Sequence, residues 1–212
     1  MANSTSPFGF MPYGRLDGGA PTWELEQVNI NSSDANLYFT GDLVVRSSAG
    51  NNVLNVSVGS TSNQLPAGIF WGCEFFSAAA TRKVWSRFYP GSVGSNAANG
   101  VTTAWIISDP NVLFRSVGGS SSTLATWANT DIGFNTIITT SQSSLGNTTS
   151  GQSAQLASSA TTTNASAPWK IIDLLANRSV SGTPGTDATA GNQVILMPNQ
   201  WERRPGTTGL ST

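Results

Sequence analysis

Histidine is absent from this 212-residue chain and cysteine occurs once. Without imidazole there is no His general base, no Ser-His-Asp triad and no His-ligated metal. A lone Cys73 excludes a disulfide framework within the chain and a thiolate zinc site, and with no base to activate it the thiol reads as a small buried residue. Charge is scarce as well: 10 Lys and Arg stand against 11 Asp and Glu, where an ordinary chain devotes roughly a quarter of its residues to charge. A net charge of −1 gives no general attraction to nucleic acid or to an acidic membrane. No stretch approaches the ~20 apolar residues of a spanning helix; the longest run, 67–76, is broken by Glu74. The first residues show no basic segment leading into an apolar one, so a signal peptide is not expected.

In place of charge the chain carries 29 Ser, 24 Thr, 18 Asn and 22 Gly. These residues disfavour long surface helices, whose exposed faces are normally filled by Glu, Lys, Arg and Gln. Asn-x-Ser/Thr sequons arise by chance in such a composition and carry no weight here. Short strand-like segments recur instead. In 53–59, Leu54, Val56 and Val58 alternate with Asn55 and Ser57, the period of a half-buried strand. Segments 23–30, 37–46, 68–76, 82–90, 101–107, 112–117, 134–140, 169–175 and 193–197 have similar character. Gly41-Asp42 marks a bulge or tight turn, and 77–81 is short enough to join 68–76 to 82–90 as a hairpin. The punctuation predicts an all-β fold, a single β-barrel or β-sandwich-like domain over residues 23–197. Residues 122–129 are the one stretch expected to form a helical turn.

Two ends and one insert stand apart. Residues 1–22, with Pro7, Pro12 and Pro21 among four glycines, read as an extended N-terminal arm, and 198–212 as a C-terminal arm. Residues 141–167 hold no charge and no aromatic, which predicts a long Ser/Thr/Asn-rich loop or hairpin excursion, either mobile or lying against another protein. The arms carry Phe8, Phe10, Tyr13 and Trp201, whose exposure to water is unfavourable, and basic residues at Arg15, Arg203 and Arg204. With Trp23 at the arm boundary and Arg82, Lys83 and Arg87 on one strand, these form the expected partner interface, because Trp and Arg anchor interfaces; the alternative is that each arm packs back on its own domain. Eight of the ten bases are Arg, the type suited to fixed ion pairs.

No catalytic constellation emerges. Glu74 and Asp109 are the one conceivable glycosidase pair, but Asp109-Pro110-Asn111 reads as a turn and Glu74 as an outward or ion-paired residue. No calcium-loop spacing and no nucleotide-binding loop occurs, so neither metal nor cofactor is expected. Trp71, Trp85, Trp105 and Trp169 lie in apolar runs and are expected in the core, with a ligand platform or an inter-subunit contact as the alternatives.

The order of SPFGFMPYGRLDGG (6–19), FTGDLV (39–44), GIFWGCEFF (68–76), SRFYPGS (86–92), SDPNVLFRSV (108–117), WKIIDLLANR (169–178) and VILMPNQ (194–200) resembles the small β-rich decoration, or cement, proteins of tailed bacteriophages. These phrases span nearly the whole chain and contain no catalytic residue; the insert at 141–167 departs from the pattern. The resemblance implies a non-enzymatic virion protein, made in the host cytoplasm, that binds the exterior of an icosahedral capsid. Its partners would be the major capsid protein and sister copies, with trimers at threefold positions typical. A receptor- or carbohydrate-binding module of the virion or tail is the alternative reading.

Overall fold

Alternation of β-branched and aromatic residues with Ser, Thr and Asn produces strands throughout a computed structural model that describes residues 4–19, 23–31, 34–46, 53–55, 65–94, 101–120, 123–139, 146–175, 190–207 and 209, with backbone alone at 53–55 and 93–94. The strands are β1 (Met11–Arg15), β2 (Leu25–Ile30), β3 (Tyr38–Phe39), β4 (Leu43–Arg46), β5 (Val53–Asn55) and β6 (Pro66–Ser77). They continue with β7 (Arg82–Ser86), β8 (Phe88–Tyr89), β9 (Thr102–Ile107), β10 (Val112–Ser120), β11 (Thr123–Leu124) and β12 (Asn135–Thr139). The last are β13 (Gly146–Asn147), β14 (Gln152–Ser153), β15 (Leu156–Thr162), β16 (Trp169–Leu174) and β17 (Gln193–Pro198). Strand accounts for 55% of the described residues, and helix among them is confined to single turns at Gly91–Gly94 and Asn129–Asp131. The all-β expectation is met. The helical turn expected at 122–129 is not: Thr123–Leu124 is strand, and Asn192 holds the extended chain at Trp127 by accepting its N–H and donating to its carbonyl, both at 2.8 Å.

The first sheet runs β4-β5-β2-β9-β6 and closes into a five-stranded barrel through β4–β6, with β7 continuing as a hairpin from β6. Its interior holds Val28, Ile30, Val44, Phe70, Cys73, Phe75, Ala104 and Ile106, with Tyr38 and Tyr89 from the β3–β8 ribbon packed on them. A bulge between Phe70 and Gly72 shifts the β6–β9 register. It allows Phe70, Cys73 and Phe75 all to face inward, which strict alternation forbids. The second sheet runs β10-β15-β12-β16-β17, and β10–β17 pairing returns it on itself, while β1 and β11 add to β10. Leu43, Ile69 and Ile107 occupy matched positions on the first barrel but face outward, joining Phe114, Trp169, Ile171 and Leu196 in a second core. The wall shared by the two cores is therefore apolar on both faces.

The sequence reading of the ends and the insert needs correction. β1 pairs antiparallel with β10, and Phe10 is fully buried, its ring 4.7 Å from that of Trp169. Trp201 packs on the other side of the same cluster, 5.3 Å from Trp169 and 5.9 Å from Phe114. Pro12 is tolerated because β1 lies at a sheet edge, where a missing N–H breaks no ladder. Asn199 accepts from Thr207 N–H at 2.9 Å and Asn135 donates to the Thr207 carbonyl at 2.7 Å, tying the C-terminal segment down. Neither end is a free arm over its described residues; each buries an aromatic ring, worth on the order of 1.5–3 kcal/mol, in the core of its own chain. The insert contains the expected hairpin, β13–β14, but its remainder is no excursion: it supplies the whole of β15, whose Leu156 and Ala157 are buried. Small uncharged residues suit β15 because it runs parallel to β10 at Gly118 and Gly119, where Leu156 approaches closely.

Candidate functional site

The expected interface residues scatter, and most find partners inside the chain. Arg15 binds Asp109 at 2.7 Å and Asp17 at 3.1 Å. Arg203 reaches Glu26 at 3.0 Å and the Ser108 hydroxyl at 3.2 Å, and Arg204 donates to the Pro110 carbonyl at 3.1 Å. With Arg46, which pairs with Glu26 at 2.6 Å and Glu202 at 2.8 Å, they stitch the C-terminal turn to the first barrel. Burial pushes the Glu26 carboxyl up, but hydrogen bonds from Arg46 and Ser108 and the charges of Arg46 and Arg203 outweigh it and hold that group below its ordinary value. Phe8 is half-buried under Arg115, and Trp23 sits edge-on to Trp71 at 6.5 Å. Tyr13, Arg82, Lys83 and Arg87 are exposed.

The four tryptophans expected in the core divide. Trp169 is fully buried, whereas Trp71 and Trp105 are half-buried and Trp85 is 56% exposed. The reason is the strand period. In β7, Val84 packs on the first core, so Trp85 must face out; in β9, Thr102, Ala104 and Ile106 are buried and Trp105 alternates with them. The ring of Trp85 lies over the β6 backbone at Gly72, where a Cβ would come within 2.7 Å of its Cζ2. Gly72 is opposite Trp105 in the β6–β9 ladder. Two tryptophans thus flank one glycine on the outer face of the first barrel, with Gln27 opposite Trp105, and Glu74 opposite both Thr103 and Trp85. Lys83 closes one side by pairing with Glu74 at 3.3 Å. This rigid aromatic strip with a polar border is the candidate binding surface. Its signal was available in the alternation of RKVWSR and TTAWII.

A second feature that the sequence reading did not single out lies where the barrels meet. Asp42 is 2% exposed, accepts from the Phe39 N–H at 2.7 Å and from the Ser153 hydroxyl at 2.5 Å, and its carboxyl is pushed up to about 7 by burial, against the pull of those two hydrogen bonds. Around it, Thr40 donates to Trp71 and Arg87 carbonyls and Leu43 donates to Gln155, so one turn links β6, β7 and the β13–β15 region. The positive φ of Gly41 lets its backbone pass within van der Waals contact of Gly9.

The remaining candidates do not assemble into a reaction centre. Asp109 accepts from the Asn111 N–H at 2.8 Å as the turn predicted. Glu74 lies opposite Thr103, four residues from the end of β9, and Asp109 lies beyond that end; the strand alone puts about 13 Å between them, too far for a glycosidase pair. Cys73 is buried, and burial raises its thiol well above the ordinary range, so it is inert at neutral pH. Among the described residues no group of three or more Cys, Asp or Glu is placed to hold a metal ion, and no helix is long and apolar enough to cross a membrane. Comparison with protein-family models, with curated proteins and with solved structures finds no match to this chain.

Proposed function

We propose that this chain is a structural protein of a tailed-phage virion that docks on the capsid exterior through the Trp85–Trp105 face. The observation that carries the reading is that face itself: two tryptophans held outward on a rigid barrel, one of them more than half exposed. Exposed aromatic surface of this kind is a cost in solution and a hot spot on contact. The sequence resemblance supplies the partner, the major capsid protein, with sister copies beside it. Arg82 and Arg87, exposed on the same hairpin region, supply cations at the rim.

Co-sedimentation with expanded capsids, assembled from the major capsid protein of the same phage, tests this. Trp85→Ala should fold normally and weaken capsid binding by about 30-fold or more, the cost of a hot-spot truncation. Unchanged binding of Trp85→Ala and Trp105→Ala would sink the proposal. The alternative, a glycan-binding module, draws on the same observation, since a tryptophan seated on backbone with its other face open also accepts a sugar ring. Binding of wild type to a glycan array but not to capsids, lost in Trp85→Ala, would decide for it.

A further inference from the structure

The residues left over by the site above include one cation with no counter-charge. Arg115 lies on the outer face of β10 on the second barrel, half-buried, with its guanidinium carbon 5.8 Å from the centre of the Phe8 ring. Arg15, Arg46, Lys83 and Arg203 each pair with a carboxylate; among the described residues Arg115 pairs with none. It lines a cleft of about 340 Å³ between the N-terminal segment and the barrel wall, together with Ser4, Ser6, Phe8, Gln152 and Gln193. The Gln193 Oε1 is buried with no hydrogen-bond donor among the described residues. An orphan acceptor and a half-buried, unpaired cation in one cleft leave hydrogen-bonding capacity that water fills in the free protein and a polar ligand can take over. The cleft adjoins a second of about 440 Å³, which shares Ser6, Pro7 and Gln152 and is lined by Asn147, Thr148 and Ser150 of the β13–β14 hairpin.

We infer that this composite cleft is a binding site for a saccharide bearing a carboxylate, with Arg115 taking the carboxylate and the Ser, Asn and Gln side chains taking the hydroxyls. One guanidinium presents a planar fork matched to one carboxylate. A phosphate would call for further cations or a nest of backbone N–H groups, and among the described residues the cleft offers one cation. Carboxamides donate and accept at once, as vicinal hydroxyls do. Phe8 holds the guanidinium from behind through its ring face. The site lies on the second barrel and does not depend on capsid docking.

Isothermal titration of the full chain with trigalacturonate and with its methyl ester separates charge from hydroxyl recognition. The acid should bind, and the ester should bind roughly tenfold or more weakly, the value of a charged hydrogen-bond pair. Arg115→Gln should lower the affinity for the acid to that for the ester, while Gln193→Met weakens both. Equal binding of acid and ester, no binding of the acid at millimolar concentration, tighter binding of inorganic phosphate, or an Arg115→Gln variant that binds the acid as wild type does would each overturn the inference. If Arg115→Gln loses its native near-ultraviolet spectrum, Arg115→Lys replaces it: this variant keeps the charge without the fork, and undiminished affinity for the acid would then count against the assignment.

Discussion

Asp42 offers a direct test of how the two barrels are joined. The unfolded chain holds this carboxyl near its ordinary value of 3.8, whereas the folded protein holds it at about 7 because burial penalises the charged form. A folded-state value raised above the unfolded one means that the folded protein binds the proton more tightly. The contribution is therefore complete below about pH 4, declines as pH rises, and is gone above about pH 7. The interval of about three units corresponds to roughly 4 kcal/mol, a large share of the stability of a domain. Asp42→Asn removes the titration and fits the site: Oδ1 still accepts from the Phe39 N–H and Nδ2 donates to the Ser153 oxygen. That hydroxyl already accepts from the Gln155 N–H at 3.0 Å, so its own proton loses its acceptor and the gain is reduced. Urea unfolding at intervals from pH 4 to 8 should show wild type losing stability across the range while the Asn variant loses much less. At pH 8 the variant should be the more stable by about 1–3 kcal/mol. Parallel curves for the two proteins would refute the reasoning.

Glu26 has the opposite sign, since its folded-state value is depressed; its contribution is present at neutral pH and lost as pH falls through the acid range. Glu26→Gln should cost about 1 kcal/mol at pH 7, measured by urea midpoint, and should flatten the acid limb of the stability curve. Phe10→Ala should destabilise the isolated protein by about 3–5 kcal/mol; a loss below about 1 kcal/mol would show that the ring contributes little to the core.

The strands were legible and their closure was not. Val28 and Ile30 lie inward as alternation requires, the 68–76 and 82–90 segments pair as a hairpin with Cys73 opposite Ser86, and Gly41 turns the chain between β3 and β4. Closure rests on pairings between strands distant in sequence, such as β4 with β6 and the parallel contact of β10 with β15, and no local pattern encodes these. The 141–167 segment misled in part because a stretch without charge or aromatics was read as unable to contribute to the core. Its small side chains instead fit a crowded position: β15 runs beside Gly118, over which the Trp127 ring lies so closely that a Cβ would meet it at 2.4 Å. Trp85 and Trp105 misled in the other direction, because membership of an apolar run was given more weight than a period of two that placed both outside.

The ends show why an anchor need not anchor a partner. Aromatic rings in Pro- and Gly-rich segments do seek burial, and that inference survives in Phe10 and Trp201. What the rings alone do not specify is whose core receives them. Docking on another molecule costs an estimated 4–15 kcal/mol of lost translational and rotational freedom, and a segment already tethered to an unfilled barrel avoids that cost. Trp169 stands at the point where both ends arrive, with Phe10 on one side and Trp201 on the other, so the intramolecular option is open to both. A chain whose terminal aromatics close its own core leaves a partner, on the function proposed above, only what it cannot cover. On the first barrel that surface is Trp85, held off the core by strand alternation and seated on Gly72, with Trp105 across the ladder.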